Sequence, residues 1–486
     1  MDIMEILLLV TLLAPFVGAL LAGLLRGRLG SFVAVLATGV TLLAAGEAVL
    51  AIYPNAPVSY PLAAPSLPWI SAGPSFGLAL DSLGSVLLIG ITLIGFLVVL
   101  YSTEYLSPHN LEHAYSTDHR SYFFWLLTFV GAMVGLALSP NLLQMFIFWE
   151  ITTLSSWALI SYSQQERALR AGFKALIMTH IGGLAFLVAL LLLFVGTQSF
   201  SFEALDQLAL PVKTGAFVLL LVAAWAKSAQ LPFHTWLPDA MEAPSPVSAY
   251  LHGAAMVNAG VFLIARVLFS GFHVSTNLGL LMVIMALLTM FMALLAYFRQ
   301  DDLKRLLAYS TIVHLGYIFL GLSLGATGSV AGYQGAVLHI LCHGVGKATL
   351  FLCAGAIAFS TGTRSISQVR GLATRWPLLG LAYLVGVLAV TGIPPFAGFW
   401  SKFLIFVGAL QSPAGWLVLV LLVLESVISF GWLLWVGQKI FLGEPSAVVL
   451  AAEDPPVMSG VLIAGMALCL LIPLVGIPLV QRMMVP

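Results

Sequence analysis

Runs of about twenty apolar residues follow one another along this chain, and each is long enough to cross a bilayer as a helix. About fourteen such runs lie between residues 4 and 481. Charged residues make up only 8% of the chain and hydrophobic ones 61%. A soluble globule carries roughly three times that charged fraction. The fold class is therefore all-α and polytopic, an integral membrane protein. The first run begins after Met-Asp-Ile-Met-Glu, acidic where a signal peptide is basic, and reads as a retained helix. Balanced charge, 19 basic against 19 acidic residues, gives no sign of a nucleic-acid partner.

One passage does not fit an uninterrupted series of spans: KSAQLPFHTWLPDAMEAPSPVSAYLHGAAMVN, residues 227–258. Apolar sequence precedes Lys227 and resumes after Pro246, which sets the lysine at membrane depth, where a charge costs at least a few kcal/mol. Pro232, Pro238, Pro244 and Pro246 break the seventh helix just beyond it. Irregular backbone at that depth is tolerated where protein or a wet cavity satisfies its amides and carbonyls. A lysine snorkelling from a helix end to the headgroups is the alternative. The twelfth run, about 376 to 410, is too long for one straight span and is interrupted by Gly392-Ile393-Pro394-Pro395. Two broken helices five positions apart suggest two inverted five-helix repeats. The expected units are residues 1–120 (three helices and a loop), 121–270 (helices four to eight), 271–445 (helices nine to thirteen) and 446–486 (helix fourteen).

Basic residues test the topology. With the N-terminus outside, one side receives Arg26, Arg28, Arg120, Arg167, Arg170, Lys174, Arg299, Lys304, Arg305, Arg364, Arg370, Arg375 and Lys439. The other receives only Lys213, Arg266 and Arg482. Such asymmetry assigns the first group to the cytoplasm and both termini to the outer face. Lys227, Lys347 and Lys402 remain, three lysines at membrane depth and no arginine. An ammonium can lose its proton on desolvation whereas a guanidinium stays charged, which favours groups that change protonation state.

Glu150 ends LLQMFIFWE inside the fifth helix, and the expected partner is Lys227. Separating the two would release a proton; a static buried ion pair is the structural alternative. In LHILCHGVGKATLFL, His339, His343 and Lys347 lie at i, i+4 and i+8 on one face of the eleventh helix. A proton relay, structural hydrogen-bonding histidines and a zinc site all use such a stripe, but no third ligand or HExxH glutamate accompanies it. His252 follows the break and could carry protons between Lys227 and His343. His314 and His180 are lone membrane histidines, a type that often serves only as an interhelical donor. His234, Asp239 and Glu242 sit in the broken segment, as an access route or as solvated loop groups. Lys402 would end a path Glu150, Lys227, His252, His343, Lys347, Lys402, and Glu425 in the thirteenth helix could pair with it. Cys342, Cys353 and Cys469 lack metal-ligand spacing and read as core residues.

At these residues the chain resembles the antiporter-like membrane subunits shared by respiratory complex I, Mrp-type sodium/proton antiporters and energy-converting membrane-bound hydrogenases. The stretches that carry the resemblance are KSAQLPFHTWLPDAMEAPSPVSAYLHGAAMV, DDLKRLLAYSTIVHLGY, HILCHGVGKATLF and GIPPFAGFWSK, within residues 75 to 440. It implies fourteen helices, an inverted repeat and proton movement along a hydrated mid-membrane axis. By position it makes Glu150 the acidic partner of Lys227, His252, His343 and Lys347 the central connection, and Lys402 the terminal lysine. It also implies residence in a prokaryotic-type cytoplasmic (inner) membrane beside other integral subunits, further antiporter-like ones among them, with protons and sodium as the candidate ions. Asn258 stands where some relatives carry a lysine, and Gly182-Gly183 where some complex I relatives have an aspartate. Because the sequence stops soon after the fourteenth run, neither the long lateral arm of the most distal complex I subunit nor the extra C-terminal domain of the largest Mrp subunit is expected.

Three functions remain open: a proton-translocating subunit of a larger complex, a self-sufficient cation/proton exchanger, and a membrane scaffold. There is no GxGxxG, no CxxC cluster and no haem or quinone signature. No cofactor is expected in this chain, and redox catalysis would belong to partner subunits.

Overall fold

The computed structural model describes residues 2–53, 57–61, 76–113, 118–412, 415–450 and 452–483. The expected units 1–120, 271–445 and 446–486 each include positions outside these. Helices α1 (Ile3–Leu24) and α2 (Arg28–Ile52) precede a two-stranded antiparallel ribbon, β1 (Val58–Pro61) on β2 (Gly77–Leu80), with Val58 opposite Leu80. Next come α3 (Ser82–Tyr105), α4 (Arg120–Ala137), α5 (Leu142–Ile160) and α6 (Glu166–Thr197). After α7 (Leu210–Lys227) the chain is irregular apart from the one-turn α8 (Trp236–Asp239); α9 (Ser245–Gly253) and α10 (Met256–Phe269) then share one span. The second half holds α11 (Thr276–Tyr297), α12 (Leu303–Ala326), α13 (Val330–Thr361), α14 (Pro377–Thr391), α15 (Ala397–Leu410), α16 (Gly415–Phe441) and α17 (Pro456–Val480).

Among the described residues, 13 helical segments are long and apolar enough to cross a membrane. The half-length α14 and α15 together supply one crossing more, which gives the fourteen anticipated. Several starts carry side-chain caps: Asp81 accepts from Gly84 N, Asn141 from Gln144 N, Asp302 from Arg305 N and Ser329 from Gly332 N.

The helix buried at the centre is α13, which lies against α3, α9, α12, α14, α15 and α17. Hydrocarbon gives apolar helices little reason to associate, so close backbone approach through small residues does the work. A Cβ on Gly335 would stand 2.7 Å from Ile405 N, and one on Gly346 2.7 Å from Val390 Cγ1. Outer helices show the complementary pattern, with Leu191 of α6, Leu288 of α11 and Val427 of α16 exposed. Such surfaces suit contact with hydrocarbon.

Both predicted breaks are present, and the polar backbone they release is bonded within the protein. Helix α7 stops at Lys227 itself, a turn earlier than Pro232 would require, because Ala229 takes a left-handed conformation (φ 49°). Trp236 Nε1 then caps Ala226 O at 2.9 Å, and Ser228 Oγ reaches Val257 O at 2.7 Å. In the twelfth crossing Gly392 (φ 86°) ends α14, and Lys402 Nζ lies 3.4 Å from Thr391 O. The bonds Leu231-Pro232 and Pro394-Pro395 are cis.

A third interruption was not anticipated. The eighth span, expected as one helix from about 246 to 268, divides at Ala254 and Ala255, whose amides both bond Tyr250 O. One residue is thereby accommodated as a bulge, and Asn258 Nδ2 takes up Gly253 O at 2.7 Å.

Two further expectations change. Lys304, assigned to the cytoplasmic surface, is 1% exposed and donates to Ala243 O at 2.6 Å. The irregular chain before α9 leaves that carbonyl free, and the lysine turns inward to it. Arg266, assigned to the outer surface, is largely buried and bonds the Asp81 carboxylate through both terminal nitrogens, one at 3.0 Å. Hence, among the described residues, the interior holds four lysines and one paired arginine rather than three lysines alone.

Candidate functional site

Lys227 is fully buried at the end of α7, and its ammonium donates to Trp149 O at 2.9 Å and Thr153 Oγ1 at 2.6 Å. It also lies 4.8 Å from the Trp149 ring centroid. No direct ion pair joins it to Glu150; the carboxylate that the sequence assigned to it is near enough to act on its charge but is not bonded to it. Glu150 instead accepts from His180 Nδ1 at 3.0 Å through Oε2, and its other oxygen is buried without a partner. Lys227 has turned to the oxygens on its own side of α5, while Glu150 projects toward α6.

The central histidines gather around α13. His252, His314, His339 and His343 are each 0% exposed. His314 Nδ1 lies 3.2 Å from His339 Nε2, and His339 Nδ1 lies 2.8 Å from Ser401 Oγ. The His343 ring is 5.2 Å from His314 and 5.9 Å from His339, centroid to centroid. The His252 ring lies 4.5 Å from that of Phe351, centroid to centroid, and is tilted 32° to it. Its neighbour Gly253 passes so close to α13 that a Cβ there would be 2.8 Å from Gly344 O, next to His343. The two histidines thus flank the crossing point of α9 and α13. Both ring nitrogens of His252 and of His343, and Nε2 of His314, are buried and unpaired. Lys347 donates to Ser310 Oγ and, at 3.3 Å, to Leu307 O.

At the far end Lys402 lies 3.7 Å from Glu425 Oε2, 3.0 Å from Ser426 Oγ and 4.4 Å from the Tyr317 ring centroid. Tyr317 in turn donates to Glu425 at 2.5 Å. Beside Lys402 a cleft of about 200 Å³ opens outward between Phe399, Phe403, Phe406 and Phe430.

Asp239 and Glu242 line a second cleft of about 360 Å³ with Arg167, Arg170, Lys174 and Arg305. Asp239 pairs with Lys174 at 2.7 Å and Arg305 at 3.4 Å. His234 is half-buried, with Nδ1 unpaired. Nearby, Arg364 bridges Glu112 and Asp302, both at 3.3 Å, and donates to Met241 O. Burial opposes its charge, but the two carboxylates outweigh that and raise its proton affinity above the usual guanidinium value.

Sequence reasoning missed the hydroxyls that hold the charges: Thr153 for Lys227, Ser310 for Lys347, Ser401 for His339, Ser426 for Lys402. Ser401 and Ser426 adjoin Lys402 and Glu425 in sequence, a faint signal. Nothing local separates them from Thr311 or Ser323, which merely bond back to their own helix. Among the described residues no group of three metal-ligating side chains exists, the histidine stripe included.

The sequence pattern of the family described as NADH:quinone oxidoreductase/Mrp antiporter, TM, matches residues 139–429, more than half of the chain. The chain belongs to this family. Residues 69–124 also match the N-terminal region of chain 5 of NADH-ubiquinone oxidoreductase (complex I). The Na(+)/H(+) antiporter subunit A1 of Staphylococcus aureus is 40% identical over 346 residues, covering 68% of this chain and 42% of that protein. The chain therefore spans under half the length of the curated relatives it matches. In structure it is similar to a chain of the Mrp complex from Dietzia sp., with TM-score 0.83 and 28% identity over 99% of this chain and 51% of the other. A chain of an archaeal respiratory complex, the membrane-bound sulfane sulfur reductase, matches with TM-score 0.84 and 25% identity, over 98% and 96%.

Proposed function

We propose that this antiporter-family subunit translocates protons inside a multisubunit membrane complex of complex I-related, hydrogenase or Mrp type. The proposed stations are Glu150, Lys227, His252, His343, His339, Lys347 and Lys402. Asp239, Glu242 and His234 offer access from the cytoplasmic side, and His314 and Glu425 serve as partners. One observation carries the reading: buried titratable nitrogens without partners, on His252, His314 and His343, stand between lysines whose acceptors are mostly neutral oxygens. Each unpaired buried polar atom costs about 1–3 kcal/mol. A scaffold gains nothing from that cost, whereas a relay requires nitrogens free to take and pass a proton.

The other integral subunits of the complex are the proposed partners, and any redox cofactor is theirs. Sodium is the second candidate ion, on the strength of the Na(+)/H(+) antiporter relative. The membrane is the cytoplasmic one of a prokaryote, with both termini outside according to the basic loops. We assign the inverted repeats to 121–270 and 271–445; a buried lysine beside a broken crossing in each half supports this.

The test uses the assembled complex in vesicles, with proton movement followed by a pH-sensitive dye. Lys227→Ala and Lys227→Arg should each slow coupled transport at least tenfold, since arginine keeps the charge but not the exchangeable proton. Wild-type transport by an assembled Lys227→Arg complex would refute the relay.

A further inference from the structure

His180 is the fifteenth residue of the 32-residue α6, so it lies roughly 20 to 25 Å from either end of the helix. Its side chain is 53% exposed, on a face otherwise formed by Ile177, Ile181 and Leu184. A polar ring half-open to the apolar exterior at this depth needs a reason, and Glu150 supplies it. A carboxylate can only accept, so His180 Nδ1 carries the proton in their 3.0 Å contact.

The carboxylate is held on that side alone. Its Oε1 is buried and unpaired, packed on Gly183 where any Cβ would collide with it. Behind it Lys227 bonds the carbonyl of Trp149, the residue before Glu150, and α6 meets α7 at Gly182, where a Cβ would stand 2.7 Å from Ala226 Cβ. Glu150 therefore lies between two groups that can carry positive charge and bonds only the outer one. Gly183 leaves room for the carboxylate where it now lies, and Gly182 lets α6 and α7 approach closely beside it.

We propose that His180 is a positioning residue that holds Glu150 away from Lys227, and that the carboxylate passes between these two partners during transport. This rests on the transport function proposed above. With Glu150 on His180, Lys227 keeps only neutral acceptors and is ready to give up its proton. With Glu150 on Lys227, the ammonium is favoured and the proton is retained.

The experiment compares His180→Phe, His180→Gln and Glu150→Gln in the intact complex, with assembly checked on native gels. Phenylalanine suits the apolar face but cannot donate; glutamine can. His180→Phe should slow coupled transport roughly tenfold, the expected loss of one charge-assisted hydrogen bond, and His180→Gln should restore most of it. A structure of the His180→Phe complex should show Glu150 within about 3 Å of Lys227 Nζ. Unchanged transport in His180→Phe, equal loss in His180→Gln, or a Glu150 that has not moved would each overturn the proposal. Wild-type transport by Glu150→Gln would overturn the transport reading itself. Slow Glu150→Gln with fast His180→Phe would overturn only the role of His180.

Discussion

Each buried lysine donates to a main-chain carbonyl: Lys227 to Trp149, Lys304 to Ala243, Lys347 to Leu307 and Lys402 to Thr391. Three of the four add a hydroxyl, from Thr153, Ser310 or Ser426. For Lys227, Lys304 and Lys347 these neutral acceptors solvate the ammonium without fixing its charge, whereas Lys402 also has the Glu425 carboxylate at 3.7 Å. Ser310→Ala should remove about 1 kcal/mol or more of that solvation. Transport should then slow several-fold while the assembled complex remains, as vesicle assays on the purified variant will show. The Arg266–Asp81 pair behaves differently, since a guanidinium keeps its proton and the contact is structural. Asp81→Ala leaves that charge uncompensated and removes the cap of α3, at a cost of about 3–5 kcal/mol. Thermal unfolding of the purified complex should shift down accordingly. The lysines at 227, 347 and 402 were legible because long apolar runs surround them. Lys304 and Arg266 sit near helix ends, where the same local sequence suits a headgroup charge or a buried one.

The breaks decide what the elements can do. Prolines announced those in the seventh and twelfth crossings, but the interruption at Ala254 and Ala255 has no such marker. It arises where α9 and α13 touch backbone to backbone at Gly253 and Gly344. Glycine is required at this crossing because even one methyl group meets the facing carbonyl. Gly253→Ala should push the helices apart, at a cost of about 1–3 kcal/mol. That separates His252 from His343, so coupled transport should fall further than stability does, a comparison that vesicle assays and thermal melts can make together. Unchanged transport in a correctly assembled Gly253→Ala complex would argue against passage between these two histidines.

Across the whole molecule, charge sets the orientation and close packing sets the axis. The three cysteines are buried, so introduced cysteines can be read against a quiet background. Cysteine placed at exposed Arg170 should react with an impermeant maleimide only from the cytoplasmic side, and cysteine at exposed Thr276 only from the outside. The reverse pattern would invert the proposed sidedness. The number of crossings, the two proline breaks and the depth of the lysines follow from sequence alone, because transfer into hydrocarbon depends on each segment's own composition. Only the tertiary structure decides which polar groups meet: Lys227 with Thr153, His314 with His339, and Glu150 with His180 instead of Lys227. Those partners lie on different helices, and interhelical packing through small residues, which hydropathy does not register, brings one face or another together.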